Sequence, residues 1–142
     1  MAREWVHEAS ARWDEAKAGV LGELRPELFG IRGAEPGAQL GDEWWRLEDD
    51  GEVIGFGRLD DVWGDAEILI MVAPGARGAG VGAEVLERLD QEAASRHLNY
   101  VYNRVHADHP QAADVVRWLE AHGFAATADG DYRRRVREGS VR

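Results

Sequence analysis

The 142-residue sequence predicts an α/β (α+β) domain on a mixed, mostly antiparallel central sheet of about six or seven strands with about four helices. Three observations lead to it. A continuous apolar run, Ile68 to Val72, stops before Pro74 and gives way across small residues to a helical pattern, which reads as strand, loop, helix. Ahead of it, β-rich runs are separated by turn signals at Asp49-Asp50-Gly51 and Asp60 to Asp65, as in antiparallel hairpins. After the helix a further β-rich run follows, and a strand-helix-strand crossover makes that strand parallel to the first. The expected order is β-α-α-β-β-β-α-β-α-β-β, with residues 1 to 142 forming one domain.

Taken in order, residues 3 to 8 alternate as a short edge strand. Ser10 is expected to cap a helix that holds Trp13 and Asp14 in its first turn and runs to about Leu24; Pro26 opens a second short turn or helix. Residues 30 to 41, rich in Gly, Ala, Pro and Gln, read as a loop, either an ordinary connection or a lid. Strands are expected over Glu43 to Glu48 and Glu52 to Leu59, where Gly55 and Gly57 mark a bulge or a close backbone approach. Val81, Val85, Leu86 and Leu89 give the central helix its apolar stripe. Leu98 to Val105 supplies the parallel strand. A helix starting at Pro110, with Asp108 ahead of it as a cap, ends at Gly123. Phe124 to Thr127 and Tyr132 to Val136 form a last pair of strands.

Composition narrows the function. The net charge is −10, from 17 basic and 27 acidic residues, which argues against a nucleic-acid partner or an anionic membrane surface. Acidity also suits a cationic amine substrate, although charge alone favours solubility as its reason. With no cysteine there is no disulfide, thiolate metal site or acyl-cysteine intermediate. No signal peptide or apolar membrane span is recognisable, so a cytoplasmic location is expected. Six tryptophans could build a substrate pocket, but tryptophan is more often a packing residue. His106, Asp108 and His109 have metal-ligating side chains, but their spacing matches no zinc motif, and no metal is expected. In Arg133-Arg134-Arg135, strand alternation sends neighbours to opposite faces, which favours salt bridging over a phosphate site.

The chemistry concentrates between residues 72 and 83. The first amides of a helix lack intrahelical partners and carry the positive end of its dipole, so a loop of small residues there can hold a phosphate or pyrophosphate. Gly78, Gly80 and Gly82 permit close approach, and Arg77 adds a forked cation. A P-loop would need a Gly-Lys-Ser/Thr ending and a dinucleotide fold a Gly-x-Gly-x-x-Gly at an early strand; neither is present. What is present is Val-x-Pro followed by Arg-x-x-Gly-x-Gly: Val72, Pro74, Arg77, Gly80 and Gly82.

This pattern resembles the pyrophosphate loop of the GNAT family of N-acetyltransferases, and the element order and the His122-Gly123-Phe124 helix ending are similar to that family throughout. The resemblance implies acetyl-CoA as acyl donor, with pyrophosphate amides from Gly78, Ala79, Gly80, Val81, Gly82 and Ala83 beside Arg77, and backbone contacts to the acyl arm from Met71 and Val72. The donor carbonyl, polarised by such an amide, would be attacked directly by a primary amine of a small-molecule substrate. Glu67 stands where many relatives place their general base, with Asp65, Glu52 and His106 as alternatives. Relatives often carry a tyrosine acid four residues before the helix-ending glycine; here that position is Leu119, so Tyr102 or Tyr132 would have to replace it, or the thiolate leaves unassisted. The competing expectation is a non-catalytic acyl-CoA-binding module of the same fold. Homodimers are frequent among proteins resembling this one.

Overall fold

A computed structural model describes residues 3–22, 26–29, 31, 35–40 and 42–137. Its strands are β1 (Arg3–Glu8), β2 (Glu43–Asp49), β3 (Glu52–Val62), β4 (Asp65–Val72), β5 (Tyr100–Asn103), β6 (Ala125–Ala126) and β7 (Tyr132–Arg135). Its helices are α1 (Glu15–Leu21), α2 (Val81–Ser95) and α3 (Ala112–Ala121), with short 3-10 turns at Pro26–Phe29 and Pro74–Ala76. The described residues thus hold three α-helices rather than about four, because the segment opened by Pro26 makes only a single tight turn. All seven strands join one sheet in the order β1-β2-β3-β4-β5-β7-β6. Every pairing is antiparallel except β4 with β5, which is parallel as a crossover through α2 requires.

The Asp49 to Gly51 signal becomes a tight hairpin in which Asp50 and Gly51 both have positive φ (52° and 84°). A bulge at Leu47/Glu48 lies opposite the glycine-rich part of β3, and α2 packs directly over Gly55 and Gly57. A Cβ built at Gly57 would stand 2.8 Å from Val85 Cγ1 and 3.1 Å from Leu89 Cδ2. Gly57→Ala is therefore expected to lower stability by about 1–3 kcal/mol through overpacking, measured by urea denaturation. A variant within error of the parent would mean that α2 does not sit this close.

Two expectations about caps are corrected. Helix α1 starts at Glu15 and is capped by Asp14, whose Oδ1 accepts from the Lys17 amide at 2.9 Å; Ser10 lies outside it. Trp13 is tied instead to the 35–40 segment, donating its amide to Ala38 O and accepting from Gly37 N, both at 2.8 Å. That half of the expected 30–41 loop is pinned to residues 11–13; residues 30, 32–34 and 41 lie outside the described set. Helix α3 starts at Ala112, and no side chain caps it. Asp108 is not its cap; the Gln111 amide is taken by His109 Nδ1 at 2.9 Å.

The core has two layers, one on each sheet face. On one face Trp45, Leu59, Ala66, Ile68 and Val101 meet α2, together with Leu119 of α3. On the other, Trp44, Phe56, Leu69 and Met71 meet α1. Trp44, Trp45 and Trp63 do not form a pocket: Trp44 and Trp45 are buried to 1% exposure, and Trp63 is fully exposed at the β3-β4 turn. Packing, not ligand binding, holds the first two.

Candidate functional site

The site is built where β4 and β5 part. Their parallel ladder has only two pairs, Ala66 with Val101 and Glu67 with Tyr102. The Asn103 side-chain amide closes it, donating to Ile68 O at 3.0 Å. Beyond that bond β4 runs on to Val72 with no strand on its β5 side, and strand alternation turns the amides of Ile70 and Val72 into the gap. Met71 turns its amide toward β3, opposite Phe56, and presents its side chain to the α1 face. Ile70 was not among the residues expected here, because which edge of β4 stays unpaired depends on β5, about thirty residues downstream.

A cavity opens on each side of this gap. One, of about 530 Å³, is walled by Ile70, Val72, Val115, Trp118 and the loop from Arg77 to Ala83. The other, of about 180 Å³, lies under α1, with Leu21, Leu69, Met71, Arg104, His106 and His109 on its wall. Ile70, Val72, Arg77, Asn103 and Val115 line both, so the strand gap is the passage between them.

The loop presents its backbone to the larger cavity. Gly78 and Gly80 have φ of 82° and 79°, and Gly80, left-handed, is the N-cap of α2. Its carbonyl accepts the first bond of the helix, from Glu84 N at 3.1 Å. The amides of Val81, Gly82 and Ala83 therefore precede the first intrahelical donor and face outward at the positive end of a 15-residue helix. A Cβ at Gly80 would meet nothing within 4 Å, whereas one at Gly82 would approach Trp118 Cζ2 at 3.2 Å. Gly82 is thus held small by packing, Gly80 by its conformation. Arg77 is exposed at the mouth and makes no ion pair among the described residues. Donors without acceptors, a helix dipole and a cation together suit a pyrophosphate, and the 530 Å³ space behind them has room for an extended arm.

Glu67 and Tyr102 do come together. Tyr102 Oη donates to Glu67 Oε1 at 3.4 Å, and Arg58 and Arg104 flank Glu67 Oε2 at 3.9 and 3.8 Å. Burial, reinforced by the Glu67 charge, raises the Tyr102 phenol above its ordinary range, so it stays protonated at neutral pH. Neither residue lines either of these two cavities; on their face of the sheet the wall begins one same-face step along, two residues on, at Leu69 and Arg104, with Asn103 between. His106 does line it, as does His109, for which the sequence suggests no role once a metal site is set aside. Burial lowers the His109 pKa, and Nδ1 accepting from Gln111 N leaves the ring's remaining proton on Nε2. Among the described residues no cluster of three metal-ligating side chains forms. Leu119 is buried at 1% exposure, with no hydroxyl to offer. Asp65 lies at the end of β4 away from the gap; Glu52, at the start of β3 beyond the Gly55–Val72 pair, is near the gap end but exposed and on neither cavity wall. Tyr132 is half-buried at the start of β7.

The model of the acetyltransferase (GNAT) family matches residues 6–124, and the chain belongs to that family. A 77-residue stretch, 53% of this chain, is 36% identical to the mycothiol acetyltransferase of Geodermatophilus obscurus; it spans 23% of that protein's length. Among solved structures, a GNAT-family acetyltransferase from Desulfovibrio desulfuricans superposes with a TM-score of 0.70 over 96% of this chain and all of that one (100%), at 17% identity. The yncA acetyltransferase of Salmonella typhimurium, solved with its cofactor acetyl-CoA, gives 0.56 over 69% of this chain and 66% of that one, at 23% identity. Among the described residues no helix is long and apolar enough to cross a membrane.

Proposed function

We propose that this chain is an acetyl-CoA-dependent N-acetyltransferase that moves an acetyl group onto a primary amine by direct attack, with both substrates bound together. The observation that carries the reading is the strand gap, which joins a cavity fronted by unpaired helix amides to a second cavity through the same five residues. Acetyl-CoA supplies a thioester carbonyl carbon; the amine nitrogen bonds to it, the C–S bond breaks, and the thiolate carries off the electron pair. Arg77 and the amides of Gly78 to Ala83 hold the pyrophosphate. The amides of Ile70 and Val72 orient the acyl arm along β4 and polarise its carbonyl, and Met71 packs against the acceptor side. Glu67 takes the amine proton, reaching the cavity through a water because it stands one step behind the wall. Tyr102 stays protonated beside Glu67 and orients it.

The acceptor side is not acidic. Among the described residues that cavity has apolar walls from Val20, Leu21, Leu28, Leu69 and Met71, and its charged side chains are arginines, with no carboxylate. The −10 net charge therefore resides elsewhere, and we propose a small amine on an apolar body in place of the polycation that overall acidity suggests. Burial of Leu119 where relatives often carry a tyrosine favours a second reading, a non-catalytic acyl-CoA-binding module.

Thiol release from acetyl-CoA with a panel of apolar and cationic amines separates the two. Turnover is expected with apolar amines, and Glu67→Gln should lower kcat by about 100-fold with little change in KM for acetyl-CoA. Binding of acetyl-CoA with no turnover of any amine would establish the module instead.

A further inference from the structure

Resting on the reading of the smaller cavity as the acceptor side, we propose that its occupant is a zwitterion: an α-amino acid with a short apolar side chain, whose carboxylate is bound by Arg104. Among the described residues the cavity wall carries Arg77, Arg104, His106 and His109 and no carboxylate. Arg77 also lines the larger cavity at the phosphate-binding loop, so Arg104 is the permanent cation left to the acceptor. A bare amine would bring its positive charge to a wall already cationic; a carboxylate on the same molecule offsets that repulsion.

The geometry around Arg104 suits this role. Its Nε stands 3.8 Å from Glu67 Oε2 and 3.8 Å from Asp131 Oδ1, beyond hydrogen-bonding distance of either. Its Cζ rides 5.7 Å from the Tyr102 ring centroid, and 64% of the side chain is exposed. The ring and the two loosely placed carboxylates hold the guanidinium at the cavity mouth and leave room for a ligand carboxylate to take two parallel N–H bonds. Glu67, the acidic neighbour, is where an ammonium belongs. An α-amino acid carries ammonium and carboxylate on one carbon, which matches a carboxylate and a guanidinium standing this close. The adjoining face adds charge of the same sign as Arg104. Arg133, opposite Tyr102 in the β5-β7 register, is exposed and forms no ion pair among the described residues, whereas Arg134, on the other face, is consumed by Asp90. The remaining walls, Leu21, Leu28, Leu69 and Met71, are apolar. A volume of about 180 Å³ lies below the roughly 300–1,000 Å³ of sites for drug-sized ligands, so one short side chain fits and a peptide does not.

Calorimetric titration in the presence of CoA tests this with two pairs of probes, leucine against isoamylamine and phenylalanine against phenethylamine, each amine being the amino acid without its carboxylate. In at least one pair the amino acid is expected to bind tenfold tighter or more. Arg104→Gln should erase that preference, and Arg104→Lys should restore part of it, because a point charge replaces the fork. In thiol-release assays Arg104→Gln should raise KM for the amino acid at least tenfold and leave KM for acetyl-CoA unchanged. Amino acids that bind no tighter than their amines, or a preference that survives Arg104→Gln, would overturn the assignment, and turnover of the bare amines would then leave acetyl transfer standing. A preference that depends on Arg104, with no turnover of any amine, would uphold the carboxylate site and end the transferase reading.

Discussion

Gly80→Glu is expected to weaken acetyl-CoA binding by roughly 100-fold or more while the protein stays folded. The open space around Gly80 lets a side chain in without steric conflict, so a glutamate there projects where the α2 amides await an anion. Its carboxylate would occupy those donors and repel the pyrophosphate. Positive φ at Gly80 adds strain of order 1 kcal/mol, which Gly80→Ala shares without the charge. The alanine variant should therefore keep most of the affinity. Trp118 offers the readout, since among the chain's six tryptophans it alone lines the larger cavity. Quenching of its fluorescence on titration should be near wild type in Gly80→Ala and vanish in Gly80→Glu. Equal titrations of the wild type and the glutamate variant would mean that the loop does not contact the ligand.

The second large effect is on stability. Lys17, the chain's only lysine, is completely buried (0% exposed). Its ammonium donates to Glu8 Oε1 at 2.6 Å, to Arg12 O at 2.8 Å and to Asp14 Oδ2 at 3.2 Å, and lies over the rings of Trp44 and Phe56. Lys17→Ala removes a charge from among its partners and leaves a void against two aromatics, which should cost about 3–5 kcal/mol. For a domain of this size that corresponds to a fall in Tm of roughly 10 °C or more. Lys17→Met keeps the stem and fills the space, so it should recover part of the loss. An alanine variant that melts within a degree or two of the parent would show that the ammonium is not held in this cage.

Lys17 also marks the limit of what the sequence makes legible. Periodicity placed it on the first helix, but its partners Glu8, Trp44 and Phe56 sit on three different strands, and only their pairing turns the helix so that a lysine faces inward. The N-cap moved from Ser10 to Asp14 because residues 11–13 are engaged with the 35–40 segment, a contact invisible to a local rule. By contrast, the order of strands and helices and the turn at Asp50-Gly51 were readable, since each rests on local apolar pattern or on residues that tolerate positive φ. The loop from Arg77 to Ala83 was readable for the same reason: strand end, small residues and helix start lie within a dozen positions. The catalytic side was less so. Glu67 and Tyr102 were each singled out, but their meeting at 3.4 Å and their retreat behind the cavity wall depend on where the β4-β5 ladder ends. Overall acidity carried no information about the acceptor cavity, because net charge says nothing of which walls the carboxylates occupy.

Calorimetric titration with acetyl-CoA, set against pantetheine, which lacks the pyrophosphate, tests the central claim most directly. Micromolar binding of acetyl-CoA, with pantetheine far weaker, is the predicted result, because the unpaired amides of α2 and Arg77 recognise the pyrophosphate. Equal binding of the two, or heat from neither, would contradict it.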